Sequence, residues 1–202
     1  MKQRQEIVGL ILAGGQSLRM GTDKAMLQMN GRPLLYRLVQ QLYALTASIT
    51  VSIGSLERET GYREALGEYA NEVEFVVDRF PGCGPLSGLH AGLSHIKAEY
   101  VFVIACDMPT LSLPVFQLLA THRESGADVI HTAGQPFHAL YHTRTSEQIQ
   151  AALEAKDYRL MSLLRQLHTA ELPSLETDSS TLFANLNTQD DYKRYLEKYL
   201  EA

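Results

Sequence analysis

The chain has 202 residues, 45% apolar and 20% charged, enough for one large α/β domain and too ordinary in balance for wholesale disorder. Lys plus Arg is 18 against 23 for Asp plus Glu, and the resulting net charge of −5 argues against a general binder of nucleic acid or anionic membrane, since both need a basic face. Two cysteines, Cys83 and Cys106, form no CxxC pair and no disulfide framework, which fits a reducing cytoplasm. No apolar run nears the roughly 18 residues of a membrane span.

Basic residues ahead of an apolar stretch make the first residues resemble a secretory leader, but the stretch is short, glycine-broken and followed by Arg19. It reads as a buried strand, Ile7–Leu12, ending in Gly14-Gly15. Leu34, Leu35, Leu38, Val39 and Leu42 recur at helical spacing. Ile49–Ile53 and Val73–Val77 are the next strands. Leu86–Ile96 reads as a helix opened by Gly84-Pro85, with proline suited to a first turn. Tyr100–Cys106 is apolar at every residue, the pattern of a parallel strand covered on both faces. Leu113–Arg123 is helical. The second half is more mixed. It suggests strands at Asp128–Thr132 and Phe137–Tyr141 around Gly134 and helices at Gln148–Lys156 and Leu160–Leu167. A short strand at Phe183–Asn187 and a closing helix at Gln189–Leu200 complete it. The alternation implies a single α/β domain over residues 1–202, a three-layer α/β/α sandwich on a mostly parallel sheet, with ligand beyond the carboxyl ends of the strands.

Three segments fall at such ends: Ala13–Lys24, Asp78–Gly88 and Asp107–Pro109. In the first, Gly14, Gly15 and Gly21 permit close backbone approach, N–H groups can cradle phosphate oxygens, and Arg19 and Lys24 add two cations beside the single acid Asp23. It is not a P-loop, because five residues separate Gly15 from Gly21 and Thr22 follows, and it is not the dinucleotide fingerprint G-x-G-x-x-G. A flexible strand-to-helix connection is the plain alternative.

The run LAGGQSLRMGTDK at Leu12–Lys24 resembles the signature of nucleotidyltransferases acting on nucleoside triphosphates, most closely the molybdenum cofactor guanylyltransferases. NGRPLL at Asn30–Leu35, GPLSGL at Gly84–Leu89, CDMP at Cys106–Pro109 and NLNTQDDY at Asn185–Tyr192 match the same family, so the likeness runs from Ile7 to about Leu196. LAGG, where cytidylyltransferases tend to show LAAG, favours the guanylyl branch. One departure is Gln135 before Pro136-Phe137, where the family tends to carry histidine, which bears on acceptor specificity.

The resemblance implies a Rossmann-like nucleotidyltransferase whose N-terminal half binds nucleotide and whose C-terminal half binds acceptor. It implies GTP and molybdenum-loaded molybdopterin as substrates, Mg²⁺ as cofactor, and other proteins of molybdenum cofactor biosynthesis as partners. It places Leu12, Ala13, Gly14, Gly15 and Lys24 on the nucleotide, Asp78 near the nucleoside, and Lys24, Asp107 and Arg19 in catalysis. Gly84 and Gly88, bracketing the start of a helix with free N–H groups, are expected to meet an anion or the base of the nucleotide, with helix-start chemistry alone as the alternative. Asp107 becomes the metal ligand, which agrees with its place after a buried strand and with the one or two protein oxygens that Mg²⁺ usually takes. A turn-capping role is the alternative for Asp107, and an ordinary loop acid for Asp78. Arg159 is expected on the pterin side. Asn185 and Asn187, sharing one face if their segment is a strand, are expected near the site as acceptor-binding residues, an amide carbonyl there completing the metal shell or holding a phosphate-linked group; turn-forming asparagines before the last helix, with Thr188 as its N-cap, are the alternative.

Other constellations carry less. His90 and His95 do not share a helix face cleanly, and His138 and His142 lie too far apart along a strand for joint ligation, so no zinc site is expected. No G-x-S-x-G surrounds a serine. The alternatives kept open are a cytidylyl- or sugar-phosphate nucleotidyltransferase on the same scaffold, and a non-catalytic nucleotide or pterin carrier.

Overall fold

The computed structural model describes residues 6–15, 22–174 and 183–200. Arg19 and Gly21 of the glycine-rich loop lie outside them. The described strands are β1 (Val8–Leu12), β2 (Gln28–Met29), β3 (Arg32–Pro33), β4 (Ile49–Ile53), β5 (Val73–Val77), β6 (Tyr100–Ala105), β7 (Val129–Thr132), β8 (His138–His142) and β9 (Thr169–Leu172). The helices are α1 (Leu34–Tyr43), α2 (Arg58–Leu66), α3 (Pro85–His95), α4 (Leu113–Thr121), α5 (Ser146–Glu154), α6 (Leu160–Leu164) and α7 (Gln189–Leu200). Seven strands form one sheet in the order β5-β4-β1-β6-β8-β7-β9, in which only β8 runs against the rest. Strands β2 and β3 make a separate hairpin. Its Asn30-Gly31 corner takes φ of 52° and 72°, as a two-residue turn between twisted strands requires.

The apolar strands are buried on both faces, as their lack of alternation requires. Ile11, Val51, Phe102 and Ile104 face α1, α2, α4 and α7, while Leu10, Val101, Val103 and Tyr141 face α3, α5 and α6. Phe102 packs edge-on against Phe116 with ring centroids 5.0 Å apart. Strand β5, at the sheet edge, is only partly covered: Val73 and Val76 are buried, Phe75 is half-buried, and Glu74 and Val77 are exposed. Helix α3 lies close to the sheet because Gly88 and Gly92 carry no side chain. A Cβ at Gly92 would stand 2.4 Å from a Leu10 methyl.

Three expectations need correction. Residues 183–187 are not a strand. The Asn187 N–H turns back to the Asn185 carbonyl at 3.1 Å and the Leu186 N–H goes to the Asp107 carbonyl at 2.8 Å, so no ladder forms and the two asparagines do not share a face. The seventh strand is instead β9, whose sequence TAEL has little apolar character because it is a half-exposed edge. Helix α2 was not marked by periodicity, since it buries only Tyr62 and Leu66. It is supported by the Glu59–Arg63 ion pair at 2.8 Å, an i,i+4 contact. Helix α6 also stops short of Leu167, because beyond Leu164 the N–H groups of Gln166 and Leu167 bond three residues back. The expected N-cap holds: Thr188 Oγ1 accepts from Asp191 N at 3.1 Å and Asp191 Oδ2 accepts from Thr188 N at 2.9 Å.

Candidate active site

The parallel strands end level with one another. The Ala13 N–H donates to the Ser52 carbonyl (2.9 Å), the Asp78 N–H to that of Ile53 (3.0 Å) and the Cys106 N–H to that of Leu12 (3.1 Å). Past those ends opens a cleft of about 580 Å³. Leu12, Ala13, Gly14 and Gly15 line one side, Asp78, Gly84 and Gly88 another, and Lys24, Asp107 and Asn187 close it. Gly84 enters α3 with φ of 71°, a conformation that suits glycine, and Pro85 follows at the first helical turn.

The charged centre joins three distant segments. Lys24 opens a short 3-10 turn that Asp23 caps by accepting from Ala25 N at 3.0 Å. Lys24 Nζ then donates to Asp107 Oδ2 at 3.0 Å and to Asn187 Oδ1 at 2.7 Å. Asn187 reaches this point because the Leu186 backbone bonds to Asp107 and because α7 is anchored nearby, Tyr195 to Thr110 at 2.7 Å and the Tyr192 hydroxyl to the Gln28 carbonyl. Two hard oxygens thus already hold one cation. A carboxylate and an amide oxygen also suit Mg²⁺, which takes few protein ligands beside phosphates. Among the described residues, no group of three or more His, Cys, Asp or Glu converges as a cage for a metal.

A second layer braces the glycine loop. Arg58 Nη1 donates to the Gly15 carbonyl at 3.2 Å and stands 3.7 Å from Asp23 Oδ2, and the Tyr62 hydroxyl donates to that same oxygen at 2.7 Å. Burial and the Asp23 carboxylate raise the Tyr62 hydroxyl well above its ordinary value, so it stays a donor. Sequence reasoning missed Arg58 and Tyr62. Their one available signal was position, on the helix following a strand end that faces the crevice. Ser52 near the end of β4, and Gly54 and Ser55 in the connection after it, also line the cleft and were missed.

Asp78 is half-buried at the cleft floor. Burial pushes its carboxyl up to about 6, and Arg58 pulls the other way. Asn185 is exposed, turned to the Phe183 carbonyl, and Arg159 is exposed and bonded to Asp157 at 2.8 Å, so neither lines the cleft. The histidines stay apart: His138 is buried, accepts from Ser112 N at 3.3 Å and is pushed down to about 4 by burial. Cys106 is buried, and burial raises its thiol far out of nucleophilic range.

Residues 9–171 match the family model of the MobA-like NTP transferase domain. The chain belongs to that family. The match begins in β1 and ends in β9, so it covers the main sheet except Val8 at the start of β1 and Leu172 at the end of β9. Similarity to curated relatives runs further. The chain is 30% identical to a probable molybdenum cofactor guanylyltransferase of Geobacillus sp. strain WCH70, over 93% of this chain and 96% of that one. It is 31% identical to the molybdenum cofactor guanylyltransferase of Vibrio cholerae, over 92% and 89%. Among solved structures, the fold matches molybdopterin-guanine dinucleotide biosynthesis protein A from Archaeoglobus fulgidus. The TM-score is 0.82 at 22% identity, covering 97% of this chain and 100% of that one. No helix among the described residues is long and apolar enough to cross a membrane.

Proposed function

We propose that this protein transfers GMP from GTP to the terminal phosphate of molybdenum-loaded molybdopterin, releasing pyrophosphate and forming the guanine dinucleotide cofactor. The observation that carries the reading is the Lys24–Asp107–Asn187 centre at the mouth of a glycine-walled cleft, in a chain whose curated relatives bear that enzyme's name. On this reading Leu12, Ala13, Gly14 and Gly15 offer backbone to the triphosphate, and Gly84, Gly88 and Asp78 receive the nucleoside. The N-terminal half then serves the nucleotide, and the acceptor lies toward the C-terminal half, with Arg159 and Asn185 beyond the rim of the cleft.

A terminal phosphate oxygen of the acceptor attacks the α-phosphorus. A new P–O bond forms as the bond to the β-phosphate bridge breaks, and pyrophosphate leaves with the electron pair. Lys24 moves from its partners in the free protein to the phosphates and neutralises charge that develops there, while the glycine loop fixes their position. Asp107 and Asn187 would hold Mg²⁺, which supplies further positive charge to the triphosphate when bound. Arg19 is proposed as a second cation on the same phosphates. Two cysteines without a disulfide agree with a cytoplasmic setting.

The test is pyrophosphate release by the purified protein with Mg²⁺, a molybdopterin source and GTP, CTP, ATP or UTP in turn. Pterin-dependent release with GTP alone supports the proposal. Release with CTP moves the protein to the cytidylyl branch, and GTP binding without any release turns it into a carrier.

A further inference from the structure

Ser52 and Asp78 approach each other from neighbouring strands on the face of the sheet that α3 covers. Ser52 pairs with Val76 across β4 and β5, and Asp78 follows Val76 by two residues, so both side chains leave the sheet on one side. Helix α3 meets them with Gly88. A Cβ there would stand 2.4 Å from Ser52 Oγ and 3.4 Å from Asp78 Oδ1, so one glycine faces both polar atoms. Both atoms are fully buried and neither has a hydrogen-bond partner. Buried polar groups are normally paired. Here one unpaired group is a hydroxyl able to donate and the other a carboxylate oxygen able to accept. The second carboxylate oxygen, Oδ2, stands against the glycine loop, 2.4 Å from where a Cβ of Gly14 would be, and both residues line the cleft.

We propose that Ser52 is a positioning residue for the nucleotide site: with nucleotide in the cleft its hydroxyl donates to Asp78 Oδ1, holding the carboxylate ionised and leaving Oδ2 to accept an N–H of the guanine edge. This rests on the reading of Asp78 as a nucleoside contact. The charge acting on Asp78 among the described residues is Arg58 at the start of α2, while the glycine loop and α3 meet it with Gly14 and Gly88. A hydrogen bond to an ionised acceptor is stronger than a neutral one, and an aimed acceptor loses less on binding than a free one.

The experiment titrates GTP into the full chain between about pH 5 and pH 7.5, comparing wild type, Ser52→Ala and Asp78→Asn. Wild-type affinity falls as the pH drops through about 6, where Asp78 takes up its proton. Ser52→Ala, which removes one oxygen and adds no bulk, loses about tenfold at the high-pH end, equivalent to about one pKa unit. That loss shrinks below pH 6, where a protonated Asp78 no longer calls for a donor. Asp78→Asn binds weakly throughout with a flat profile. A Ser52→Ala protein within twofold of wild type at high pH, or weakened by one constant factor at every pH, overturns the proposal, the latter being a packing effect. If Asp78→Asn binds GTP like wild type, the nucleoside reading of Asp78 fails and this proposal with it. A weak, flat Asp78→Asn beside a normal Ser52→Ala refutes the role of Ser52 alone.

Discussion

Replacing Lys24 with Met separates the work Lys24 does in the free protein from the work proposed for it in the reaction. The substitution keeps the length of the side chain and removes its charge. In the free protein, Lys24 and Asp107 lie 3.0 Å apart with about a fifth of each side chain exposed. At an effective dielectric of about 20, that separation corresponds to roughly 5 kcal/mol of Coulomb energy, most of which offsets desolvation, leaving about 1 kcal/mol net. The unfolding midpoint should therefore drop by only about 2–4 °C for a chain of this length. In the proposed reaction Lys24 would face charge that develops on the phosphates, where losing one aimed donor costs about 2.7–4 kcal/mol, a factor of about 100–1000 in turnover. Pyrophosphate release with GTP, Mg²⁺ and a molybdopterin source reads the second effect, and thermal unfolding reads the first. A variant that turns over within tenfold of wild type would refute the role given to Lys24. A collapse in stability of many degrees would show that the pair serves mainly the fold.

Asp107→Ala is expected to abolish Mg²⁺-dependent pyrophosphate release, and near-normal turnover would remove the metal assignment. Gly14→Ala puts a methyl 2.4 Å from Asp78 Oδ2. It should cost about 1–3 kcal/mol of stability and at least tenfold in GTP affinity, so unfolding and GTP titration left unchanged would contradict the close approach. Asp78→Asn should stabilise the nucleotide-free protein. The carboxyl rises from 3.8 to about 6 on folding, so the cost of ionising it is absent below about pH 4 and complete above about pH 6. Discounted for the solvent that still reaches the group, the gain is about 1–2 kcal/mol near pH 7.5, fading toward pH 4, and a variant no more stable than wild type in denaturant at pH 7.5 would contradict it.

Strands β1, β4, β5 and β6 were legible because each is a short apolar run, and β6 because a strand covered on both faces has no polar residue to confuse it. The entry to α3 was legible from Gly84-Pro85, and that of α7 from Thr188. What stayed hidden depends on tertiary context. Helix α2 and strand β9 bury few side chains, so neither imprints a period on the sequence. The placement of Lys24, Asp107, Gly14, Gly84 and Gly88 in one cleft follows from strand ends that the sequence marks. The separation of Asn187 from Asn185 does not, because it is set by a backbone bond from Leu186 to a residue 79 positions earlier.

Among the described residues, four of the five buried side-chain polar atoms without a partner lie toward the carboxyl end of the sheet, and the fifth, His90 Nδ1, lies on α3. Ser52 Oγ, Asp78 Oδ1, Thr132 Oγ1 and His138 Nδ1 are buried without partners. Ser52 lies one residue before the end of β4, Asp78 just after β5 and Thr132 at the end of β7, while His138 pairs with Ile104 near the end of β6. A buried group left this way costs about 1–3 kcal/mol, and a domain of this size has only about 5–15 kcal/mol in hand. Further along, α3 descends onto Leu10 through Gly92, an apolar contact. Most of this stability is therefore lost at the rim that would meet ligand. This is why Asp78→Asn is predicted to tighten the free protein and to weaken its hold on GTP in the same stroke.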